Sequence, residues 1–428
     1  MEINKDGAFL LPERPTKTIC DVLVIGGGPS GASTAFWLAS NGYDVLLVER
    51  KTFPREKTCG DGLTPRSVRQ LIDMGVEESL SLAHKYFGLR TRAFGKELTL
   101  EWPKVSGLPE YGYVITRYDL DELVLNNAEK AGAAVWQGCE ATAVNFTDDS
   151  VYIRVKDKSR DTVSEVEAKY LVIAEGANSR IGRSLQVKRD RQLPFGLAIR
   201  GYYSSPRSRD PYIESQLDIR DEKGTLLPGY GWIFPLGDGR VNVGIGLVST
   251  MAGWKEVNTT SLLNTFVKQT PSSWGLSEES RLSEPTGGKL PMGMSSTHLR
   301  GKRYLVVGDA GGMINPFNGE GIAYGYESGR LAAATLSEAI SCNDADLLDN
   351  YLDMLDMHYG SYYKVARLFL RLMGNQDVLK ILTSTGMHSK TVMTILLKIM
   401  SNLMSEDDIG LAEVILKSAS KLARGIPG

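Results

Sequence analysis

The first half of the chain alternates short apolar runs with glycine-rich turns. Residues Asp21–Ile25 form a β-branched run of the kind that parallel sheets bury, and it leads directly into GGGPSG. A stretch of small residues typical of a helix follows, ends at Gly42, and gives way to a second apolar run at Asp44–Val48. These segments predict a complete strand–helix–strand unit of roughly thirty residues.

The rest of the pattern predicts a mixed α/β fold. A helix is expected near Leu120–Ala131, and the segments at 86–113 and 195–247 alternate loosely, which indicates a second sheet. After about Gly329 the spacing is helical to the end. Further buried or paired strands are predicted at Ala134–Gln137, Val151–Val155, Val163–Val166, Tyr170–Ile173 and Tyr304–Val307.

Composition narrows the class of protein. With 428 residues, 42% of them hydrophobic and 23% charged, the chain is expected to form two or three globular lobes. A net charge of −2 provides no basic field that would recruit nucleic acid. The four histidines are scattered and the sequence contains no CxxC pair, so no metal site is predicted. Dispersed cysteines suit a reducing compartment: Cys20, Cys59, Cys139 and Cys342.

The turn after the first strand has the pattern of a dinucleotide-binding motif. Gly26, Gly28 and Gly31 give GxGxxG, in which the glycines permit a tight turn, close approach of a diphosphate, and close helix–strand packing. Pro29 and Ser30 open the helix whose N-terminus binds the phosphates. At the end of the second strand, Glu49 is placed to accept hydrogen bonds from ribose hydroxyls, and Arg50 follows it.

Three later segments indicate that the dinucleotide is FAD rather than NAD. Arg117, Glu175-Gly176 and Asp309 occur in the order found in glutathione-reductase-type flavoproteins of the hydroxylase branch, which this chain resembles. Asp309 can bind a ribityl chain, and the turn that contains Gly319, Gly321 and Ile322 can present N–H groups to the flavin edge. The family usually has Asp-Gly where this chain has Glu175-Gly176, so the reach of that carboxylate differs.

Two segments are similar to the geranylgeranyl reductase family. The first is KTCGDGL, with Thr58, Cys59, Gly60, Asp61 and Gly62, and the second is YGWIFPLGDGRVNVG at 230–244. The stretches most similar to bacterial menaquinone reductases are Thr52–Arg66, Leu227–Gly237, Asn315–Ile322 and Ile399–Leu403. The resemblance implies an FAD-dependent reductase of a carbon–carbon double bond in an isoprenoid lipid, with the polyprenyl tail of menaquinone favoured and geranylgeranyl lipids as the alternative.

The same two segments supply the candidate substrate and catalytic residues. Tyr230, Trp232 and Phe234 share one face of a strand and are expected to form a wall that holds an isoprene chain against the flavin. Tyr230 could present a polar tip and Trp232 a flat ring to the reacting carbons. Cys59 is a candidate proton donor, although it could equally shape the pocket or be inert filler.

The resemblance also implies an organisation like that of p-hydroxybenzoate hydroxylase. A Rossmann-type FAD-binding lobe, a β-sheet substrate lobe and C-terminal helices are expected after a polar lead-in. The predicted segments are 1–20 for the lead-in, 21–85, 114–190 and 285–335 for the FAD-binding lobe, 86–113 and 191–284 for the substrate lobe, and 336–428 for the helices.

The C-terminal helices suggest contact with a membrane. Between Ser361 and Met404 six side chains are basic and one is acidic, and apolar runs separate them. Such helices suit an anionic bilayer, or they pack on the substrate lobe with solvated lysines. No stretch reaches the roughly 18–20 apolar residues of a spanning helix, and the N-terminus lacks a signal-peptide pattern. The residues alone favour neither arrangement. The family resemblance favours membrane docking, and with it a cytoplasmic protein that is peripheral at the inner face of the plasma membrane is expected.

Two other classes of function stay open at this point. A flavin monooxygenase of the same fold would use oxygen and NAD(P)H to hydroxylate an aromatic substrate, and the KTCGDGL and YGWIFP segments argue against it. A non-catalytic flavin-bearing protein would bind isoprenoids without turnover, and the flavin-edge turn argues against that. The external electron donor is either NAD(P)H or a redox protein, since no second glycine-rich motif identifies a bound nicotinamide.

Overall fold

The computed structural model describes residues 17–404 and 410–423. Strands and helices alternate at the start of the chain, strands dominate its middle, and helices dominate its end. In chain order the strands are β1 (Lys17–Ile25), β2 (Val45–Glu49), β3 (Gly62–Leu63), β4 (His84–Tyr86), β5 (Gly88–Ala93), β6 (Lys96–Glu101), β7 (Gly112–Val114), β8 (Ala134–Gln137), β9 (Cys139–Phe146), β10 (Val151–Asp157), β11 (Thr162–Ile173), β12 (Phe195–Ser204), β13 (Ile213–Gln216), β14 (Gly229–Pro235), β15 (Arg240–Val248), β16 (Thr286–Pro291), β17 (Arg300–Gly301) and β18 (Tyr304–Val306).

The helices fall into an early group and a C-terminal group. In chain order they are α1 (Pro29–Ser40), α2 (Pro65–Asp73), α3 (Arg117–Lys130), α4 (Arg180–Ser184), α5 (Thr259–Gln269), α6 (Ile322–Cys342), α7 (Asp349–Leu355), α8 (Ser361–Met373), α9 (Gln376–Gly386), α10 (Lys390–Met400) and α11 (Leu411–Ala423). A π-helical turn at Asp356–Gly360 joins α7 to α8. Within the described residues, no helix combines the length and hydropathy needed to cross a bilayer.

The first sheet is eight-stranded and contains the predicted strand–helix–strand unit. Its order is β17-β18-β11-β1-β2-β8, with β10 and β9 paired beyond β11. Val22 and Val24 of β1 face the core that α1, α3 and α6 cover, whereas Leu23 and Ile25 face the core on the β9–β11 side. Because both faces of β1 are buried, the strand is apolar at every position from Val22 onward.

Strand β1 begins earlier than its apolar run indicates. It starts at Lys17, and its first residues pair in parallel with Glu165–Ala168 of β11. Residues 17–20 of the predicted polar lead-in are therefore part of the sheet, while residues 1–16 lie outside the described residues. The hairpin predicted from Val151–Val155 and Val163–Val166 is confirmed, but its second strand continues to Ile173 and provides this additional partner for β1.

The second sheet is seven-stranded and has the order β16-β12-β15-β14-β13-β5-β6. Strands β5 and β6 therefore join strands that follow about a hundred residues later, while β4 and β7 form a separate small sheet with β3. Strand β16, which the sequence analysis assigned to the FAD-binding lobe, pairs with β12 in this sheet. It is an exposed edge strand with two glycines, so no apolar alternation marked it as a sheet member.

The C-terminal helices pack against both parts of the molecule. Met387, Met393 and Leu397 share a core with residues of β6 and β4, and Leu370 packs near Met292 beside β16. On the other side, α6, the π-helical turn and α8 contribute a buried cluster of tyrosine rings, which includes Tyr324, Tyr359 and Tyr363. These contacts place the helical region over the space between the two large sheets.

Candidate active site

A cavity of about 1470 Å³ lies between the two large sheets and extends to the C-terminal helices. One end is bordered by residues at the carboxyl ends of β1, β2 and β11, which is the edge where parallel α/β sheets bind ligands. Every residue that the sequence predicts to contact cofactor or substrate borders this cavity except Gly31. The structure therefore brings together segments that are up to about 300 positions apart in the chain.

Close packing of β1 and α1 explains the glycines of the first motif. Gly26 has a φ of +108°, which side chains rarely adopt, and a Cβ on Gly31 would lie 1.8 Å from the Gly26 carbonyl oxygen. Gly28 is the N-cap of α1, and no described side chain caps this end of the helix. The first N–H groups of α1 are consequently open to the cavity, where they can bind phosphates.

Glu49 is held at the wall of the cavity by backbone N–H groups. Its Oε2 accepts a hydrogen bond from Gly27 N at 2.8 Å, and its Oε1 accepts one from Lys51 N at 2.8 Å. A carboxylate has about four acceptor positions, so two remain for ribose hydroxyls. Arg50 lies exposed at the same edge of the cavity.

A second glycine-rich turn lies opposite, between β18 and α6. Asp309 borders the cavity, and burial raises the pKa of its carboxyl group against the opposing charges of Lys57 and Arg117. A Cβ on Gly321 would lie 3.3 Å from Asp309 Oδ1. The turn directs the positive N-terminal end of the 21-residue α6 toward the cavity, as binding of an electron-rich ring edge requires.

Arg117 and Glu175 are both engaged by neighbouring protein groups. The guanidinium of Arg117 donates two hydrogen bonds of 2.6 Å to Asp121, four residues along α3. The Glu175 carboxylate accepts from Ser179 Oγ at 2.5 Å and from Ile181 N at 2.9 Å, and so caps the short α4. The longer acid at the family's Asp-Gly position is thus directed toward a helix end, with Gly176 beside it at a φ of +75°.

The KTCGDGL loop packs directly on the ring of Phe234. A Cβ on Gly60 would lie 3.3 Å from this ring, and a Cβ on Gly62 would lie 3.0 Å from it. Thr58 and Cys59 also border the cavity. The absence of side chains at Gly60 and Gly62 therefore lets the loop lie flat on the aromatic residues of β14.

A buried polar network anchors this loop to the second sheet. Asp61 Oδ2 accepts hydrogen bonds from Tyr202 Oη at 2.6 Å and Asn242 Nδ2 at 2.8 Å. The Cys59 carbonyl accepts from Asn242 Nδ2 at 2.9 Å and Arg200 Nε at 3.2 Å. Burial raises the pKa of Asp61 to about 6, against the hydrogen bonds of Tyr202 and Asn242. Asp61 is thus a structural anchor of the loop.

The sequence analysis missed Asn242, Tyr202 and Arg200. All three are buried, with exposed fractions of 0%, 7% and 4%. A lone asparagine inside the apolar run RVNVGIGLV was a usable signal, because a buried amide in a strand must find partners. Tyr202 and Arg200 carried no comparable signal.

The three aromatic side chains of β14 form the predicted wall. The Tyr230 and Trp232 rings are 5.9 Å apart, and the Trp232 and Phe234 rings are 6.1 Å apart. Trp232 faces Gly244 on β15, where a Cβ would lie 2.1 Å from the indole ring. Small residues on the partner strand therefore make room for large rings on β14.

One group on this wall and one on the KTCGDGL loop keep their protons at neutral pH. Burial raises the pKa of the Cys59 thiol, although the charge of Arg117 opposes the shift. Burial also raises the pKa of Tyr230 to about 12, and its hydroxyl donates to the Asn318 carbonyl at 2.6 Å. The wall beside the flavin-edge turn is therefore neutral.

Beyond the wall the cavity becomes apolar. This part, which we call the apolar arm, runs between β5, β6 and the helices α8–α10. Its lining includes Leu100, Trp102, Phe369, Met373, Met393 and Leu397. An arm of this kind can hold a long hydrocarbon chain, because such a ligand offers no polar group for specific hydrogen bonds.

Together the fold and the site define an FAD-dependent oxidoreductase. The α1 N-terminus, Glu49, Asp309 and the flavin-edge turn would hold, in that order, the diphosphate, ribose, ribityl chain and ring edge of FAD, and the close packing at Gly26 and Gly31 leaves no room there for side chains. FAD supplies the redox chemistry when bound, and the protein supplies binding and orientation.

Comparison with known proteins identifies the family. The FAD binding domain model matches residues 19–198, and the geranylgeranyl reductase catalytic domain model matches residues 225–280. A menaquinone reductase of Mycobacterium tuberculosis is 37% identical over 404 residues, which cover 94% of this chain and 96% of that protein. The chain belongs to the geranylgeranyl reductase family of FAD-dependent oxidoreductases, and the mycobacterial menaquinone reductase is one of its relatives.

Two further similarities concern archaeal proteins. Digeranylgeranylglycerophospholipid reductase 2 of Methanosphaera stadtmanae is 29% identical over 351 residues, with 80% of this chain and 85% of that protein covered. The solved structure of a geranylgeranyl bacteriochlorophyll reductase-like protein of Thermoplasma acidophilum has a TM-score of 0.77 at 23% identity, and the match covers 94% of this chain and 100% of that chain. This structural likeness shows a shared fold.

Proposed function

We propose that this protein saturates a carbon–carbon double bond in the polyprenyl tail of menaquinone. The observation that carries the proposal is the aromatic wall of β14, which opens into an apolar arm at the far end of an FAD cradle. The mycobacterial menaquinone reductases, which match over nearly the whole chain, favour the quinone tail over a geranylgeranyl lipid. The archaeal relatives, at lower identity and coverage, make geranylgeranyl lipids the second candidate.

The protein's part in the reaction is to place an unreactive alkene and to exclude water. Trp232 and Phe234 offer flat rings against which an isoprene unit packs, and Tyr230 closes the wall beside the flavin-edge turn. The loop that carries Cys59 packs against the Phe234 ring and the edge of Trp232. A buried, rigid pocket of this kind lowers the entropic cost of reaction by holding the reactants in a productive orientation.

An anaerobic reaction with a chemical reductant tests the proposed function. We expect the FAD-loaded protein, reduced with dithionite, to be reoxidised by menaquinone and to add two hydrogen atoms to the tail, as measured by mass spectrometry. Dithionite replaces the external donor, NAD(P)H or a redox protein, so the result does not depend on the donor's identity. Saturation of a geranylgeranyl lipid alone would favour the second candidate, and stoichiometric oxygen uptake with a hydroxylated product would contradict both.

We also propose that the apolar arm opens onto an anionic membrane at the cytoplasmic face of the cell. Exposed apolar side chains border the cavity between α9 and α10: Ile381 is 63% exposed, Leu382 is 49% exposed and Val392 is 45% exposed. A menaquinone tail cannot cross water at low cost, so an opening that contacts the bilayer provides a direct route.

Charge supports this orientation. Lys364, Arg371, Lys380 and Lys390 are exposed on α8–α10. The other two basic side chains of these helices are engaged within the protein. Arg367 donates to the Gly293 carbonyl at 2.6 Å, and Lys398 pairs with Glu413 at 2.8 Å. Four exposed cations on the helices that line the apolar arm suit an anionic lipid surface.

Vesicle binding checks this proposal. We expect the double variant Ile381→Gln/Leu382→Gln to lose most of its cosedimentation with phosphatidylglycerol vesicles, because each change removes an apolar group that inserts into the bilayer. Leu282→Gln is the matched control, since Leu282 is 55% exposed on a loop away from the cavity. Equal binding by both variants, or equal binding of wild type to phosphatidylcholine in high salt, would contradict the proposed surface.

A further inference from the structure

Glu320 is a half-buried acid inside Asn315–Ile322, and the resemblance of that stretch to the menaquinone reductases assigns it no role. It is the last residue but one before α6, in the flavin-edge turn, and it borders the cavity. Its Oε1 accepts hydrogen bonds from Thr64 Oγ1 at 2.6 Å and Ser67 Oγ at 2.8 Å. Its Oε2 is buried and has no hydrogen-bond partner among the described residues.

This asymmetry determines where a proton resides on the carboxyl group. Two hydroxyl donors occupy the lone pairs of Oε1, so a proton on the carboxyl group is placed on Oε2. Because no described group accepts a hydrogen bond from Oε2, the proton is not held in a second interaction. A carboxyl group of this kind can release its proton without breaking a hydrogen bond.

The surroundings of Glu320 keep the acid near its titration point at neutral pH. Burial raises the pKa of Glu320 to about 7, while the hydrogen bonds from Thr64 and Ser67 and the charge of Arg66 act in the opposite direction. The other ionisable groups that face it are Glu327, whose charge raises the pKa, and the neutral phenols Tyr86, Tyr230 and Tyr324. A general acid works best with a pKa close to the working pH.

We propose that Glu320 stores and releases the proton that tail reduction consumes. The inference rests on the proposed function. In the balanced step the π bond of the alkene breaks, one carbon gains the hydride that reduced FAD supplies, and the other gains the proton from Glu320 Oε2. The carboxylate that remains is reprotonated from solvent before the next turnover.

Other proton-bearing groups at the cavity are less suited to this step. The Cys59 thiol and the Tyr230 phenol hold their protons more strongly at neutral pH, because burial raises the pKa of each. Asp61 has the required range, borders the cavity and also has an oxygen, Oδ1, without a partner among the described residues, but it lies on the KTCGDGL loop, where Tyr202 and Asn242 hold it to the second sheet, and not on the flavin-edge turn. Glu320 differs from all three because it combines an unpartnered oxygen with a position on the flavin-edge turn.

The isosteric variant Glu320→Gln separates proton release from packing. Glutamine keeps an oxygen that accepts from Thr64 and Ser67, so we expect normal folding and FAD content. Single-turnover reduction of the tail should fall at least about 100-fold. The wild-type rate should decrease as pH rises through about 7, since the acid must be protonated to act, and this decrease should be absent in the variant. Glu56→Gln is the control, because Glu56 borders the cavity with 70% of its side chain exposed.

Thr64→Val provides a second test. Its expected result would not occur if Glu320 had only a structural role. The Thr64 hydrogen bond lowers the pKa of Glu320, so its removal should move the alkaline decrease in rate to higher pH. Infrared titration of the protein without substrate should show a carboxylic-acid band that disappears through neutral pH in the wild type and is missing in Glu320→Gln. A wild-type protein that leaves the tail unreduced would remove the proposed function together with this inference. An active Glu320→Gln variant with the wild-type rate and pH profile would overturn the inference alone.

Discussion

The Gly31→Ala variant is expected to be isolated without FAD. A Cβ at this position would lie 1.8 Å from the Gly26 carbonyl oxygen and 3.0 Å from its carbonyl carbon, so α1 must move away from β1. That movement displaces the helix N-terminus that binds the diphosphate. The measurement is the ratio of flavin to protein after desalting, and we expect it to fall to near zero.

Variants at two further glycines distinguish loss of FAD binding from loss of packing between α1 and β1. A Cβ on Gly28 would have nothing closer than 3.7 Å within the protein. Gly28 is the N-cap of α1 and borders the cavity, so the added methyl group would narrow the space at the helix N-terminus where the diphosphate would bind. Gly28→Ala should therefore lose FAD while its thermal unfolding resembles that of apoprotein made from the wild type. A Cβ on Gly288 would have no protein atom within 4 Å, so the control variant Gly288→Ala should keep FAD. Full flavin content in Gly31→Ala would refute the assigned cradle.

The nucleotide cradle and the aromatic wall could be predicted because their signals are local. GxGxxG follows an apolar strand directly, and alternation along one strand is enough to place Tyr230, Trp232 and Phe234 on one face. The rings are adjacent in the structure as this alternation requires. The departure at Glu175 was also visible in the sequence, and its longer side chain caps α4.

The polar contacts that assemble the site could not be predicted, because their partners are distant in the chain. The hydrogen bond from Asn242 to the Cys59 carbonyl joins residues 183 positions apart, and the bond from Thr64 to Glu320 joins residues 256 positions apart. No periodicity connects such positions, and only packing of the two sheets brings them together. For the same reason the count of basic residues in the C-terminal helices overstated the surface charge, since Arg367 and Lys398 are used internally.

Replacement of Trp232 is expected to slow turnover strongly without loss of FAD. The side chain is 5% exposed, its ring fills the space opposite Gly244, and its Nε1 donates to Asn242 Oδ1 at 3.0 Å. Trp232→Ala removes the ring from the wall and leaves Asn242, which holds the Cys59–Asp61 segment, without one of its partners. A buried aromatic ring deleted in this way costs about 3–5 kcal/mol of the free energy of unfolding.

The effect on catalysis should exceed what the loss of stability explains. Displacement of a reacting group by about 1 Å can cost roughly 100-fold in rate, and Trp232→Ala disturbs both the wall and the loop that faces it. We therefore expect at least about a 100-fold lower single-turnover rate of tail reduction at a temperature where the variant is fully folded and retains FAD.

Trp232→Phe distinguishes the ring from its hydrogen bond. Phenylalanine keeps an aromatic face opposite Gly244 but leaves Asn242 Oδ1 without its donor, at a cost of about 1–3 kcal/mol. If the ring face orients the alkene, this variant should retain most of the rate that Trp232→Ala loses. If the hydrogen bond to Asn242 matters more, because it fixes the Cys59–Asp61 segment, both variants should be equally slow. A Trp232→Ala protein with FAD bound and the wild-type rate would show that the tail binds elsewhere than on β14.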